Sequence, residues 1–427
     1  MFDSHFNDGV KRPGNREMTV MLAGLMALNA LAIDSMIPAL PDIGRALDVA
    51  EANRRQLVVL AYFVGFASTQ LLWGPLADRF GRKPVLAIGI ILYGLFGLVC
   101  AFAQSFAVLI AGRVAMGASA AVTRVLVIAM VRDLFEAEAM ARVMSLVFMT
   151  FMLVPVLAPN IGQAILLVAS WRAIFLVLAA YALAMLLWSW RRLPETLHPE
   201  YRRSLKWGEI KLAVATTLGE PQSRGYTIAV TIIFSSLVAY IASVQQIVFD
   251  AFHSPGLIGA SFAAIAAPMA LASWANSRIV ERYGLRRVGH SAAAILVAIT
   301  AFHAAWTLAG AETLLSFILF QSMTMCCFAF ASSNLGTLAM EHMASIAGTA
   351  SSVQGVIGTL GATIIGFFIG QAFDGSATPF VLGTAGCALL GFVAIVLTEP
   401  KRLFAPLTRA EEKAVSGLPP IAPDDLG

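Results

Sequence analysis

The chain has 427 residues, 59% of them hydrophobic and only 13% charged, about half the charged share of a soluble globular domain. With a mean hydropathy of +0.79, that composition excludes a disordered chain, a nucleic-acid binder built on a basic stripe and an ordinary cytosolic enzyme. The formal net charge of +4 therefore needs an explanation other than a nucleic-acid partner.

Uncharged apolar runs long enough to cross a hydrocarbon layer of roughly 30 Å as helix occur twelve times, at 18–40, 56–75, 84–104, 106–130, 143–166, 173–190, 226–249, 256–277, 288–309, 313–336, 345–371 and 378–398. The runs are continuous instead of alternating, which favours helices over a barrel. The first is longer than the apolar core of a signal peptide and is expected to be retained. Lys and Arg total 29, and 23 of them fall on the side that holds both termini, against Arg45, Arg54, Arg55 and Arg172 opposite. Positive residues stay in the cytoplasm, so both termini are expected there and the basicity reads as topology. Cys100, Cys326, Cys327 and Cys387 lie in apolar runs without zinc-type spacing, so no metal site or disulfide framework is expected.

The longest polar interruption separates the sixth and seventh runs. It divides the chain into a tail (1–17), a first bundle (18–190), a linker (191–225), a second bundle (226–398) and a tail (399–427). Asp78-Arg79-Phe80-Gly81 after the second run is echoed 203 positions later by Glu281-Arg282-Tyr283-Gly284 after the eighth. The fold class expected is all-α integral membrane, with twelve transmembrane helices in two six-helix bundles related as a parallel repeat.

Gly74-Pro75-Leu76-Ala77-Asp78-Arg79-Phe80-Gly81-Arg82-Lys83-Pro84 closely resembles the loop motif of the major facilitator superfamily. Asp34 with Pro38-Ala39-Leu40-Pro41, Arg113 with Gly117, Ser170-Trp171-Arg172, Leu193-Pro194-Glu195-Thr196-Leu197 and Ala347-Gly348-Thr349-Ala350-Ser351-Ser352 resemble its drug:proton antiporter branch, especially the bicyclomycin/chloramphenicol-resistance (Bcr/CflA) subfamily. The fifth run departs from the antiporter pattern. It keeps Pro159 and Gly162 but has Val154, Ala158 and Gln163 where that pattern has glycines, which leaves exchange less firmly implied than transport. The resemblance implies proton-coupled efflux of drug-like molecules across a bacterial inner membrane by alternating access. The alternative is a carrier of one endogenous metabolite.

Only Asp34, Arg113 and Arg124 are charged within the twelve runs. An acid inside a membrane helix is by default functional. Asp34 and Arg113 each lie about 10 Å from the same end of their helices at 1.5 Å per residue, which suggests a pair serving proton coupling. Arg124 is expected to reach the interface by extending its stem. Gly74, Asp78, Arg79, Gly81, Arg82 and Lys83 are expected to form a conformational latch, with Asp78 meeting Arg132, Arg142 or a helix N-terminus. Tyr62, Tyr240, Gln245, Asn334 and Gln354 are candidate cavity residues, and Pro155, Pro159 and Gly162 a candidate hinge. No phosphate loop, zinc motif or nucleophile elbow is present, so no enzyme and no cofactor beyond the coupling proton is expected. The expected partners are a small-molecule substrate and the lipid bilayer, with no nucleic acid, and the chain is expected to act as a monomer.

Overall fold

A computed structural model describes residues 14–135, 137–197, 200, 207–343 and 346–406. Expectations for residues 1–13 and 407–427 therefore lie outside the described residues, as does the side chain of Arg142. The regular secondary structure among the described residues consists of helices alone. Their order is α1 (Asn15–Asp34), α2 (Leu40–Ala46), α3 (Leu57–Phe80), α4 (Arg82–Ala101), α5 (Phe106–Leu134), α6 (Ala137–Leu166) and α7 (Arg172–Arg192), then α8 (Trp207–Gly219), α9 (Pro221–Gln246), α10 (Ile258–Tyr283), α11 (Leu285–Leu308), α12 (Leu314–Met340), α13 (Ala347–Gln371) and α14 (Thr378–Thr398). Eleven segments among the described residues are long and apolar enough to cross a membrane, and α6 stands where the fifth crossing was expected.

Three boundaries differ from expectation. The first crossing is not one helix. It stops at Asp34, passes through a 3-10 turn at Ile37–Ala39 and resumes as α2, because Pro38 and Pro41 cannot donate to an α-helical ladder. The linker is not purely loop, since it contains α8. The seventh crossing starts at Pro221, earlier than 226, where the Glu220 carboxylate accepts from the Ser223 amide and caps the helix.

Each half encloses its own packing. In the first, α5 lies against α3 and α4 while α1 lies on α6; in the second, α9 lies against α13, α14 and α12. Gly65 of α3 and Gly117 of α5 let these helices touch main chain to main chain, since a Cβ at either would overlap the carbonyl of Val114 or of Tyr62. Without a hydrophobic force between helices in lipid, such close approach is what binds them. The sequence echo becomes a structural one at the turns: Gly81 has φ of 103° and Gly284 of 81°, a conformation that glycine adopts without strain.

The halves meet along α3 with α13 and α6 with α10. Asn53 donates to the carbonyls of Gln371 and Phe373 at 3.0 Å each, and Gln371 donates back to the Asn53 carbonyl at 2.9 Å. Gln246 donates to Asn53 Oδ1 at 2.8 Å, and Gln56 donates to the Gly370 carbonyl at 3.0 Å and to Gln246. All of these lie at the end away from the termini. Gln70 and Thr359 join the halves deeper in, at 3.4 Å. At the end that carries the termini, the hydrogen bonds and ion pairs among the described residues stay within one half.

The close approach is testable. Gly65→Val should cost at least the 1–3 kcal/mol typical of overpacking and lower both membrane yield and thermal stability in detergent, whereas Gly336→Ala, at a site open to space, should change neither. Equal melting curves for the two variants would contradict the packing described.

Candidate transport site

Asp34 is the last residue of α1 and is 3% exposed. Its Oδ1 has no hydrogen-bond partner in the protein, and no basic group forms an ion pair with it among the described residues. It lies within electrostatic range of Tyr62 on α3 and of Tyr240 on α9, so it sits where the two halves face each other.

Arg113 is not its partner, contrary to the depth argument. Arg113 is fully buried, its Nε donates to the Val58 carbonyl at 2.8 Å, and its Nη1 donates to the Ala32 carbonyl at 3.1 Å. The guanidinium stacks over the Tyr62 ring at 4.7 Å. The reason is the break in α1: the last four carbonyls of a helix have no partner within it, and in hydrocarbon they must find one. Leu31 receives Ser35, and Ala32 receives Arg113. Equal depth therefore reflects a shared helix end and not an ion pair.

The loop network also differs in its partners. Asp78 pairs with Arg82 at 2.7 Å within the same half, and not with Arg132. Arg82 extends the chain to Asp133 at 3.3 Å. Glu195, beyond α7, accepts from the amides of Arg82 and Lys83 at 2.9 and 3.2 Å, which fixes a carboxylate at the N-terminus of α4. Arg79 lies over Phe80, Lys83 over Trp190, and Gly74 beside Val125 of α5.

Of the five candidate cavity residues, three are occupied in joining helices. The Tyr62 hydroxyl donates to Asn29 at 3.0 Å; Asn334 donates to Asn276 at 2.7 Å; Gln354 donates to Ser223 and to the Ala339 carbonyl at 3.0 Å each. Tyr240 and Gln245 differ, because their buried polar atoms have no partner among the described residues. Pro155 and Pro159 lie inside an unbroken α6, and Gly162 packs against Ser35 and Pro38 at the break in α1. Arg124 does not reach an interface: its guanidinium lies over Phe66 of α3. The amide contacts of Asn53, Gln56, Gln246 and Gln371 had no motif to mark them.

The family model of the major facilitator superfamily matches residues 22–366. The chain belongs to that superfamily. As a member it is a multi-pass membrane transporter of a small molecule, not an enzyme. A bicyclomycin resistance protein homolog of Haemophilus influenzae is 28% identical over 396 residues, covering 90% of this chain and 96% of its own. An uncharacterized MFS-type transporter of Bacillus subtilis, YdgK, is 30% identical and covers 83% of this chain and 88% of its own. Multidrug resistance protein D of Escherichia coli is 34% identical over 44% of this chain and 47% of its own. Among solved structures, a D-xylose-proton symporter superposes with a TM-score of 0.71 at 14% identity, covering 91% of this transporter and 99% of that chain. The human organic anion transporter MFSD10 (TETRAN) gives 0.63 at 19%, covering 90% and 100%. Both share the superfamily fold.

In the second half of the transporter, the counterpart of the loop network gathers on Arg286, which pairs with Glu341 at 2.6 Å and Glu399 at 2.8 Å. Tyr226 also donates to Glu399 at 2.8 Å. Burial alone would push the Glu399 carboxyl up, but Arg286 and Tyr226 together hold it below the usual carboxylate range. A carboxyl that binds its proton less tightly when folded stabilises the fold above the ordinary value of about 4.3, and the contribution fades as pH falls through the lowered folded value. Glu399→Gln should therefore lower the melting temperature in detergent at pH 7, and its deficit against the parent should shrink as the pH is brought below 4. A deficit independent of pH would refute that assignment.

Proposed function

We propose that this transporter exports drug-like small molecules in exchange for protons, alternating access between two six-helix halves in a bacterial inner membrane, with both termini in the cytoplasm. The distribution of Lys and Arg supports the orientation, and the printed names of the bicyclomycin- and multidrug-resistance relatives support the class of cargo. In that orientation, the end shut by Asn53, Gln56, Gln246 and Gln371 faces outward, and the transporter is closed to the outside. One chain contains both halves of the cleft, so a single copy is taken as the working unit.

The observation that carries the coupling is the unpartnered Asp34 carboxyl at the shut end of the cleft. Among the described residues neither Arg113 nor any other basic side chain holds it, so its oxygens can take either a proton or a donor group of the cargo, and not both at once. That exclusion is what antiport requires: the proton enters from outside, displaces cargo, and leaves to the cytoplasm before new cargo binds. Tyr240 and Gln245, with buried polar atoms also free, stand ready on the other half. Arg113 acts through position, holding the Ala32 carbonyl near the end of α1 and so fixing where Asp34, the last residue of that helix, stands.

Everted vesicles with an acidic interior, challenged with a panel of amphipathic drugs, should lose their pH gradient when a transported drug is added. Asp34→Asn should abolish that response by at least tenfold while leaving the protein folded. Gradient collapse at the parent rate in Asp34→Asn would remove the coupling role. A response confined to one metabolite-like compound would favour a dedicated carrier.

A further inference from the structure

Arg124 is the one cation within the membrane crossings whose surroundings nothing above explains. It lies on α5 ten residues from Leu134, about 15 Å from that helix end at 1.5 Å per residue. Its guanidinium is held over Phe66, well inside α3, instead of reaching outward as an interfacial anchor, and the side chain is exposed in the structure. Its two sequence neighbours fix its direction. Thr123 accepts from Asn29 of α1 at 2.8 Å, and Val125 lies beside Gly74 of α3, so the side chain between them projects into the gap between α1 and α3, over Phe66. An open gap at that depth, bounded by α1 and α3 of the first half, is taken as part of the cleft between the halves and not as lipid face.

The guanidinium there has no acceptor. Arg82 has Asp78 and Asp133, Arg192 has Glu17, Arg286 has Glu341 and Glu399, and Arg113 has two carbonyls. Arg124 makes no ion pair and no hydrogen bond among the described residues, and the ring of Phe66 is the contact its guanidinium makes. Five N–H donors in a planar fork, placed over an aromatic ring, present the geometry that meets a carboxylate or similar anion two bonds at a time. An uncompensated charge at this depth is costly, and its retention without a partner in the protein points to a partner that comes and goes.

We infer that Arg124 is a cargo-recognising residue and that the cargo carries an anionic group, a carboxylate or its sulfonate or phosphonate equivalent, beside an apolar body. This rests on the transport reading and narrows its substrate class from drug-like molecules in general to acidic or zwitterionic amphipaths. The aromatic face of Phe66 would meet the apolar body next to the charge, and the basic loops at the mouth of the cleft favour the approach of anions.

The test is binding to the purified full chain in detergent, with no pH gradient, so that it is independent of proton coupling. The probes are matched pairs of aryl-alkyl carboxylates and their methyl esters on several scaffolds, titrated at low and high salt. The parent should bind at least one carboxylate about tenfold or more tighter than its ester, with the gap narrowing at high salt. Arg124→Gln should erase the gap while leaving ester binding within about twofold, and Arg124→Lys should retain part of it. An unchanged carboxylate-to-ester ratio in Arg124→Gln would overturn the inference. So would a parent that prefers the esters, or one that binds neither member of any pair. Gly336→Ala, at a site open to space, should keep the carboxylate preference in this assay. Loss of coupling in vesicles with the preference intact, or the reverse, shows which of the two readings has failed.

Discussion

A main-chain carbonyl released from its helix inside hydrocarbon has to be met by a donor, because no water is there to meet it. The break in α1 releases such carbonyls at Leu31 to Asp34, and Arg113 meets the one at Ala32 while also holding Val58 at the start of α3. Much else follows from that one guanidinium. It fixes the path by which α1 turns into α2, packs Tyr62 beneath it, and through Tyr62 orders Asn29 and Thr123. It also leaves Asp34 alone. A salt bridge between the two would have neutralised both charges and, on the proposed coupling, closed the site to protons. Spending the arginine on backbone keeps the acid available, and truncating a charge so deeply buried and bonded would be expected to disturb the fold and the site together.

The two halves share a plan but not a charge pattern. Both use a glycine with positive φ to turn from the second to the third crossing, and in both a glutamate beyond the sixth crossing reaches back to the start of the third. In the first half Glu195 takes two main-chain amides, which leaves Arg82 to link Asp78 with Asp133. In the second half Leu285 follows the turn glycine where Arg82 does in the first, so the arginine one position on, Arg286, holds both carboxylates itself. The result is two rigid ends, each cross-linked within its own half. Rigid halves are what a rocking mechanism needs, since the motion must then appear at the seam between them and not within the bundles.

The architecture was legible because its causes are local and repetitive. Twelve apolar runs and a repeated turn are local features of the chain, and helices stand at those runs, with the boundary shifts described above. The site was only partly legible. Depth along a helix placed Asp34 and Arg113 at one level, but which atoms meet depends on rotation about each axis and on the break after Asp34, for which Pro38 and Pro41 were the available signal. Polar residues deep in a span could be identified as buried, but not sorted. Asn334 and Gln354 found partners on neighbouring helices while Tyr240 and Gln245 did not, and that difference exists only once the helices are packed. Arg124 was misplaced for the same reason: distance along the chain from a helix end says nothing about whether the side chain points toward lipid or toward a cleft.

The seam at the shut end is made of amides, and this chemistry suits its task. Asn53, Gln56, Gln246 and Gln371 join the halves through neutral hydrogen bonds, several of them to main-chain carbonyls. A neutral hydrogen bond contributes about 0.5–1.5 kcal/mol net, because on opening each group exchanges its partner for water. A handful of them therefore holds the closed arrangement by a few kcal/mol, which is the scale that differential binding of a ligand to two states can supply. Buried ion pairs across the same seam would have left uncompensated charges on separation and raised the cost of each cycle. The ion pairs described lie inside the halves, and the neutral bonds lie at the seam where, in the proposed exchange, the halves part.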